Sequence, residues 1–407
     1  MDFIQNTAPH LRKPNASVVR MMRDVVIALS PLVVLAIINH GLRAVWIMLV
    51  AVLSMAVTEY IYYQIHDAIN RNREGMENLF DQLAKLKKAL KEAEQQDQKD
   101  TLKKQIAEIK QAISEKKRES KREENKRFHP INKNFTLYNY SILVSGVIYG
   151  LTIPDATPLA IVIIGGVVAV ILVKLIFGGM GQNIFNVAAF GRAFIALSFG
   201  GLVAVANHVD ATSNATVLGE LVAAPFSETG YSLTTMFTGI GLPGTLGEVS
   251  AMLILVGGIY LFLRKSFDVF IPLVYVGTVF VLALATMLVT DAGWWFPLTH
   301  LLSGGLLFGA IYMATDPITA PVTRPGRIYF AFGLGLITFV IRLFGAYPEG
   351  VVFAILIMNI FVPAIDFPKW SHTQFNWRRA IIFTAVVLLS ITAVMIGAES
   401  LAGGLNG

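Results

Sequence analysis

The sequence contains no cysteine. That absence excludes disulfides, thiolate-ligated iron–sulfur clusters and c-type haem attachment on this chain, so any iron–sulfur centre it works with belongs to another protein. Charge is also scarce: Asp, Glu, Lys and Arg make up 15% of the 407 residues, whereas 55% are hydrophobic. With a mean hydropathy of +0.61, a soluble fold could not hide the apolar surface, and an all-α polytopic membrane protein is expected. The seven histidines (His10, His40, His66, His129, His208, His300 and His372) fall in predicted loops or near predicted helix ends. A membrane b-haem would want imidazoles deep in facing spans, so it is set aside. The opening MDFIQNTAPHLRKPNASVVRMMRD is basic and has no cleavable pattern, so no signal peptide is read there.

The net charge of +6 is local: residues 66–133 hold 18 Lys and Arg against 13 Asp and Glu. One insert therefore supplies nearly all the excess, which argues against nucleic acid as a partner. Apolar runs of membrane-crossing character lie at 22–40, 44–64, 139–153, 157–177, 186–206, 248–264, 269–290, 298–315, 328–345, 350–366 and 378–397. They predict about ten transmembrane helices and a C-terminal eleventh, several broken by Gly and Pro where backbone could line a cavity. The positive-inside rule orients them. With Arg12, Lys13, Arg20 and Arg23 cytoplasmic, the 66–133 insert, Arg264 and Lys265, Arg324 and Arg327, and Lys369, Arg378 and Arg379 fall inside too. Only Arg43 falls outside, and the connection 207–247 has no Lys or Arg at all.

The expected organisation is a cytoplasmic N-terminal segment (1–21), two spans (22–64), a cytoplasmic insert (65–133), the spans of a first half (134–206), an outer-face loop (207–247), the spans of a second half (248–366), and a cytoplasmic linker with a last span (367–407). In the insert, Leu79, Leu83, Leu86, Leu90 and Ala93, then Leu102, Ile106, Ile109 and Ile113, follow steps of three and four. This heptad pattern predicts an antiparallel helical hairpin, either a solvated insertion or a docking arm for a cytoplasmic partner. LVSG at 143–146 and LLSG at 301–304 each open a short glycine-rich span ending near a proline, Pro154 or Pro317. Such an echo is what an inverted repeat would leave, with a site where its halves meet.

Polar side chains in apolar runs are costly and point to a polar interior or to interfacial anchors. The set here is Asp24, Glu59, Lys174, Arg192, Glu248, Asp316, Arg342, Glu349 and Asp366. Asp316 and Asp366 stand beside prolines, where a broken helix frees carbonyls that, with a carboxylate, coordinate a cation. GGMGQNIFN at 178–186 reads either as a tight re-entry turn or as a site where backbone N–H groups and amides meet a flat polar ring or a phosphate.

The stretch VDATSNATVLGE at 209–220 is polar within a greasy chain. Asn214-Ala215-Thr216 fits an N-glycosylation acceptor, and a plain solvated loop whose Ser or Thr caps a following helix is another reading. Neither explains the spacing of Asp210, Ser213, Ala215 and Thr216; a hydroxyl in a small-residue turn that carries a phosphoester would.

These residues resemble a known family. VDATSNAT is similar to the D-x-x-[ST]-x-AT flavinylation motif of the NqrB/RnfD family, which comprises the B-type component of the sodium-pumping NADH:quinone oxidoreductase and the D-type component of the Rnf electron-transport complex. PHLRKP, MMRDVVIALSP, GGMGQNIFN, GRAF, GTLGEVSAMLILVGGIYL, HLLSGG, MATDPITAP and YPEGVVFAILIMNIFVPAID match in the same order. GGIYLFLRK, HLLSGG, ATDPITAP and the non-acidic Leu175 lean toward the Rnf branch. GRAF leans the other way, and Val187 stands where the family has proline.

The resemblance implies FMN joined by a phosphoester to Thr216, attached by a separate flavin transferase that reads the motif including Asp210, Ser213 and Ala215. A second, non-covalent flavin such as riboflavin is a further expectation, with Gly178, Gly179, Gly181, Asn183 and Asn186 as its candidate site. The family implies coupled Na+ or H+ movement, for which Asp24, Glu59, Asp316 and Asp366 are the candidates. It also implies partner subunits that carry iron–sulfur clusters and flavin, and a bacterial or archaeal inner membrane with the N-terminus cytoplasmic and Thr216 outside. No catalytic side chain and no metal ligand is assigned, since the redox chemistry belongs to the isoalloxazine ring. Broken helices suit a secondary transporter or channel equally well, and an inert scaffold is a third reading. The acceptor threonine is what separates them.

Overall fold

The computed structural model describes residues 18–92, 96–124, 135–179, 181–202, 216–290, 292–303, 305–345, 350–367 and 377–406, and every structural statement below concerns those residues. They are helical, with no strand among them. The chain divides into two compact units, Met1–Ala56 with Thr136–Gly407, and Val57–Phe135.

The larger unit begins with α1 (Val18–His40) and the start of α2 (Leu42–Glu92). Gly41 between them adopts φ +60°, which lets the chain reverse without a Cβ clash. The smaller unit holds the rest of α2 and α3 (Gln96–Glu124), and in it Tyr60 meets Phe135 edge-on at 5.8 Å between ring centres. The larger unit continues with α4 (Ser141–Leu151), α5 (Leu159–Ala169), α6 (Val187–Ser198), α7 (Val217–Ala223), α8 (Leu233–Thr238), α9 (Ala251–Arg264) and α10 (Phe270–Thr290). After these come α11 (Trp295–Leu302), the single turn α12 (Leu306–Phe308), α13 (Arg324–Phe344), α14 (Gly350–Ile365) and α15 (Trp377–Asn406).

The expectation of ten to eleven spans is corrected here. Five helices are long and apolar enough to cross a membrane: Val18–His40, Leu42–His66, Phe270–Thr290, Arg324–Phe344 and Trp377–Gly404. A sixth counts if Trp295–Leu302 and Leu306–Met313, bent by 55°, form one broken span. The other apolar runs make helices too short. Ser141–Leu151 has 11 residues, about 16 Å of helix against a hydrocarbon core of about 30 Å. Hydropathy registers apolar residues whether or not the helix continues through them, and here α4 ends at Leu151 while Asn186 and Ser250 cap helices that start within apolar runs.

The inverted repeat is not upheld either: LVSG lies inside α4, whereas Leu302 ends α11 and Gly305 begins the turn after it. Nor is an antiparallel hairpin established. Helix α2 runs unbroken for 51 residues from the second span into the insert, and residues 93–95 ahead of α3 lie outside the described residues.

Small residues bring the helices of the larger unit together. A Cβ on Gly146 would lie 2.7 Å from Val52 Cα, so α4 and α2 are in close contact at that point. Tyr312 donates its hydroxyl to Ala28 O at 3.2 Å and passes over Gly257, which ties α1 and α9 to the broken segment. Tyr275 and Thr338 share a hydrogen bond of 2.6 Å where α10 packs on α13.

Candidate functional site

Both interrupted helices end at one cavity. Helix α5 loosens into π-helical turns at Val170–Leu175, and α12 does the same at Gly309–Met313. Such turns free carbonyls from the regular ladder and recur at functional sites. Between their ends, the start of α6 and the N-terminal part of α1 lies a cavity of about 70 Å³, lined by Lys174, Asn183, Asn186, Ser266, Tyr312 and Asp316 among others. It has room for about two water molecules.

The turn that enters α6 depends on glycine. Gly178, Gly179 and Gly181 have φ of +109°, +97° and +88°, a region that side chains with a Cβ avoid. Asn186 then caps α6, accepting from Ala189 N–H at 3.0 Å and donating to Met313 O at 3.1 Å. Its own N–H donates to Asn359 Oδ1 at 3.1 Å, and Asn359 Nδ2 donates to Thr319 O at 3.2 Å. Two buried amides thus brace the re-entry turn, the end of the π-helical segment, the 314–323 connection and α14. The Asn186 side chain is committed to this brace, whereas Asn183 makes one long contact, Nδ2 to Phe185 O at 3.5 Å.

Lys174 and Asp316 bring charge to the cavity lining, and Asp24 lies behind it. Lys174 is buried and donates to Thr136 Oγ1 at 2.7 Å. Asp316 accepts from Ile318 N–H at 3.2 Å and from Thr319 Oγ1 at 3.3 Å. Asp24 is fully buried; it accepts from Ser266 Oγ at 2.6 Å and from two nitrogens of Arg264 at 3.3 Å, which pins α1 to the end of α9. The structure therefore brings Asn183, Asn186 and Asp316 to one place, with Asp24 one hydrogen bond behind Ser266. Asp366 lies apart, accepting from Val322 N–H at 3.0 Å. Glu59 is buried in the smaller unit.

Thr216 occupies a different region. It is the N-cap of α7, and its Oγ1 accepts from Gly219 N–H at 3.1 Å. The residue is half-buried, and Val217, next along the chain, joins a core of Met236, Leu242 and Val249, with Tyr231 and Leu35 against it. Glu220 accepts from Gly230 N–H at 2.9 Å and so ties the following loop to α7. Burial, with the Glu220 carboxylate adding to it, pushes the Tyr231 hydroxyl above the ordinary phenol range. Asp210, Ser213 and Ala215 lie outside the described residues.

The break between α11 and α12 has its own support. Arg342, buried on α13, donates to His300 O at 2.7 Å and to Ser303 O at 3.0 Å, satisfying carbonyls at the end of α11. On the other side of the break, Gly305 at φ +66° leaves no room for a Cβ beside the Glu248 carboxylate.

Arg342 and Lys174 stand out in the sequence as costly polar residues, whereas Asn359, Ser266 and Tyr312 escape a reading of it. The signal for Asn359 was there: it is the lone amide in the apolar run GVVFAILIMNIFVPAI. Ser266 and Tyr312 carry no such signal, because their partners are 242 and 284 residues away in sequence.

A family model described as the NQR2, RnfD, RnfE family matches residues 4–77 and 126–371. The D component of a proton-translocating ferredoxin:NAD(+) oxidoreductase complex from Clostridium ljungdahlii is 31% identical over 390 residues, 93% of this chain and 97% of that protein. The D component of the Na(+)-translocating ferredoxin:NAD(+) oxidoreductase complex from Acetobacterium woodii is 38% identical over 239 residues, 58% of this chain and 73% of that protein. The B component of a Na(+)-translocating NADH-quinone reductase from Chromohalobacter salexigens is 36% identical over 260 residues, 59% of each chain.

Proposed function

The chain belongs to the NQR2, RnfD, RnfE family, and from that premise we infer that it is the flavin-carrying membrane subunit of an Rnf-type ion-translocating oxidoreductase complex. The observation that carries the reading is the similarity along nearly the whole chain to the D component of a ferredoxin:NAD(+) oxidoreductase complex. The NADH-quinone reductase relative aligns over 59% of the chain and defines the neighbouring branch.

In this reading the chain works inside a multi-subunit membrane assembly whose partners carry iron–sulfur clusters and further flavin. It lies in a bacterial or archaeal cell membrane, N-terminus inside and Thr216 outside. Covalently held FMN would supply one- and two-electron redox chemistry. The residues present fit its attachment: Thr216 offers a half-buried hydroxyl at the start of a helix, whose proton the Gly219 contact leaves uncommitted because the oxygen there accepts. The role of Thr216 is to hold the group; Asp210, Ser213 and Ala215 serve recognition by the transferase. For a second, non-covalent flavin the fit is partial. Asn183 keeps amide capacity for a polar ring edge, Gly178, Gly179 and Gly181 allow close backbone approach, and Asn186 is spent on the brace.

The ion route is assigned to Asp24, Glu59, Asp316 and Asp366, with the Asp316 cavity as its central station. A carboxylate on the lining of a small, mostly apolar cavity, with the Lys174 ammonium sharing that lining, can exchange one cation for another at little change in local charge.

The test is ion uptake by vesicles containing the whole complex. With Asp316→Asn, electron transfer persists and uptake falls by an order of magnitude or more; unchanged uptake per electron would remove the cavity from the route.

A further inference from the structure

We propose that Thr216 receives its flavin phosphate only while α7 is locally open, with Val217, Leu218 and Leu221 unpacked, so that attachment is gated by the opening of this short helix. The proposal rests on the attachment reading above and adds when, and on which conformation, the transferase acts.

The chemistry sets the requirement. An alcohol does not join a phosphate monoester in water without activation, so the donor is a phosphoric anhydride of the flavin, a flavin dinucleotide. Thr216 Oγ1 forms a P–O bond to the flavin-side phosphorus, and the anhydride P–O bond breaks. The nucleoside monophosphate leaves with that electron pair, and the hydroxyl proton passes to a base of the transferase. No oxidation state changes. The transferase must therefore surround Thr216 closely enough to align Oγ1 with the breaking bond and to reach its proton.

On its C-terminal side the folded chain hems Thr216 in. One lone pair of Oγ1 is engaged by Gly219 N–H at 3.1 Å, an N-cap bond that fixes the side chain against α7. The residues that follow are inaccessible: Val217, Leu218 and Leu221 are exposed by only 4%, 5% and 4%. Glu220, between them, is tied to Gly230.

Opening this segment is nonetheless within reach. Helix α7 has seven residues, too few to persist without tertiary packing, so it is held by those three side chains and one cap. Short helices with few buried contacts are the parts of a protein that open first. Once Thr216 is esterified, its bridging oxygen can still accept from Gly219 N–H, so α7 can close over the modified residue.

The experiment uses the full chain made without its transferase and purified in detergent. Flavin transferase and flavin adenine dinucleotide are then added, and covalent flavin is followed by fluorescence of the denatured band. Hydrogen exchange of the 217–223 amides is measured on the same samples. Leu221→Ala, which loosens the packing, is labelled at least about thirtyfold faster than wild type. Gly219→Ala, which stiffens the helix and keeps the capping N–H, is labelled about fivefold more slowly. The labelling rates rank as the exchange rates do. Should Leu221→Ala fail to fold, Gly219→Ala carries the comparison alone. Equal labelling rates in variants whose exchange differs would overturn the proposal. Wild type that takes up no more flavin than Thr216→Val would instead overturn the attachment reading itself.

Discussion

Asn359 on α14 accepts the backbone N–H of Asn186 at 3.1 Å across 173 positions of sequence. Through that one side chain the entry to α6 and the connection after the second π-helical segment are held in register. Asn359→Leu removes both hydrogen bonds and leaves a buried N–H and a buried carbonyl without partners. We expect it to cost about 2 kcal/mol and to lower the thermal midpoint of the detergent-solubilised chain. An unchanged midpoint would show that the brace is dispensable.

Arg342 should be less replaceable than its charge suggests. Two of its hydrogen bonds go to different carbonyls, His300 O and Ser303 O, so the planar fork matters as well as the cation. Arg342→Met should cost about 3 kcal/mol, and Arg342→Lys should recover only part of it in the same melting assay. Full recovery by lysine would mean that the charge alone supports the break.

Two glycines in helices should behave oppositely. Gly146→Ala drives a methyl to 2.7 Å from Val52 Cα and forces α4 away from α2, at a cost of about 1 to 3 kcal/mol. Around Gly277 on α10 nothing lies within 4 Å of the added carbon, so Gly277→Ala should be neutral or stabilise by about 1 kcal/mol. Melting the two variants side by side separates close packing from intrinsic helix preference, and equal shifts would contradict this account of the α2–α4 contact.

Asp24 and Asp316 are both candidates for the ion route, yet their surroundings differ. Asp24 is bonded to Arg264 and Ser266, so Asp24→Asn leaves the guanidinium without its carboxylate and should lower the melting midpoint along with ion uptake. Asp316 is held by one backbone N–H and one hydroxyl, and Asp316→Asn should reduce uptake with a smaller change in midpoint. Vesicle uptake set against thermal stability for the pair tests this; equal loss of stability in both would make Asp316 a structural residue too.

Much of this was legible beforehand, for identifiable reasons. Composition alone implied helices in a membrane, and Lys174, Arg342, Asp24 and Asp316 stood out because each is costly in an apolar run. The number of spans was not legible. Hydropathy sums over a window, whereas Asn186 and Ser250 cap helices inside such windows, and α4 ends at Leu151 before its window does. The inverted echo failed because LVSG and LLSG are alike in letters while one sits within a helix and the other at a break. The cavity could not be read either, since its lining joins residues as distant as Met21 and Ile318. For Thr216 the sequence allows a Ser or Thr that caps a following helix, and Thr216 is the cap of α7.

The central claim, that Thr216 carries a covalent flavin, is tested most directly by in-gel fluorescence of the denatured chain produced together with its flavin transferase. Wild type should give a fluorescent band and Thr216→Val none, while Thr216→Ser should keep it, because serine retains both the hydroxyl and the capping oxygen. A band of equal intensity in Thr216→Val, or no band in wild type, would contradict the account.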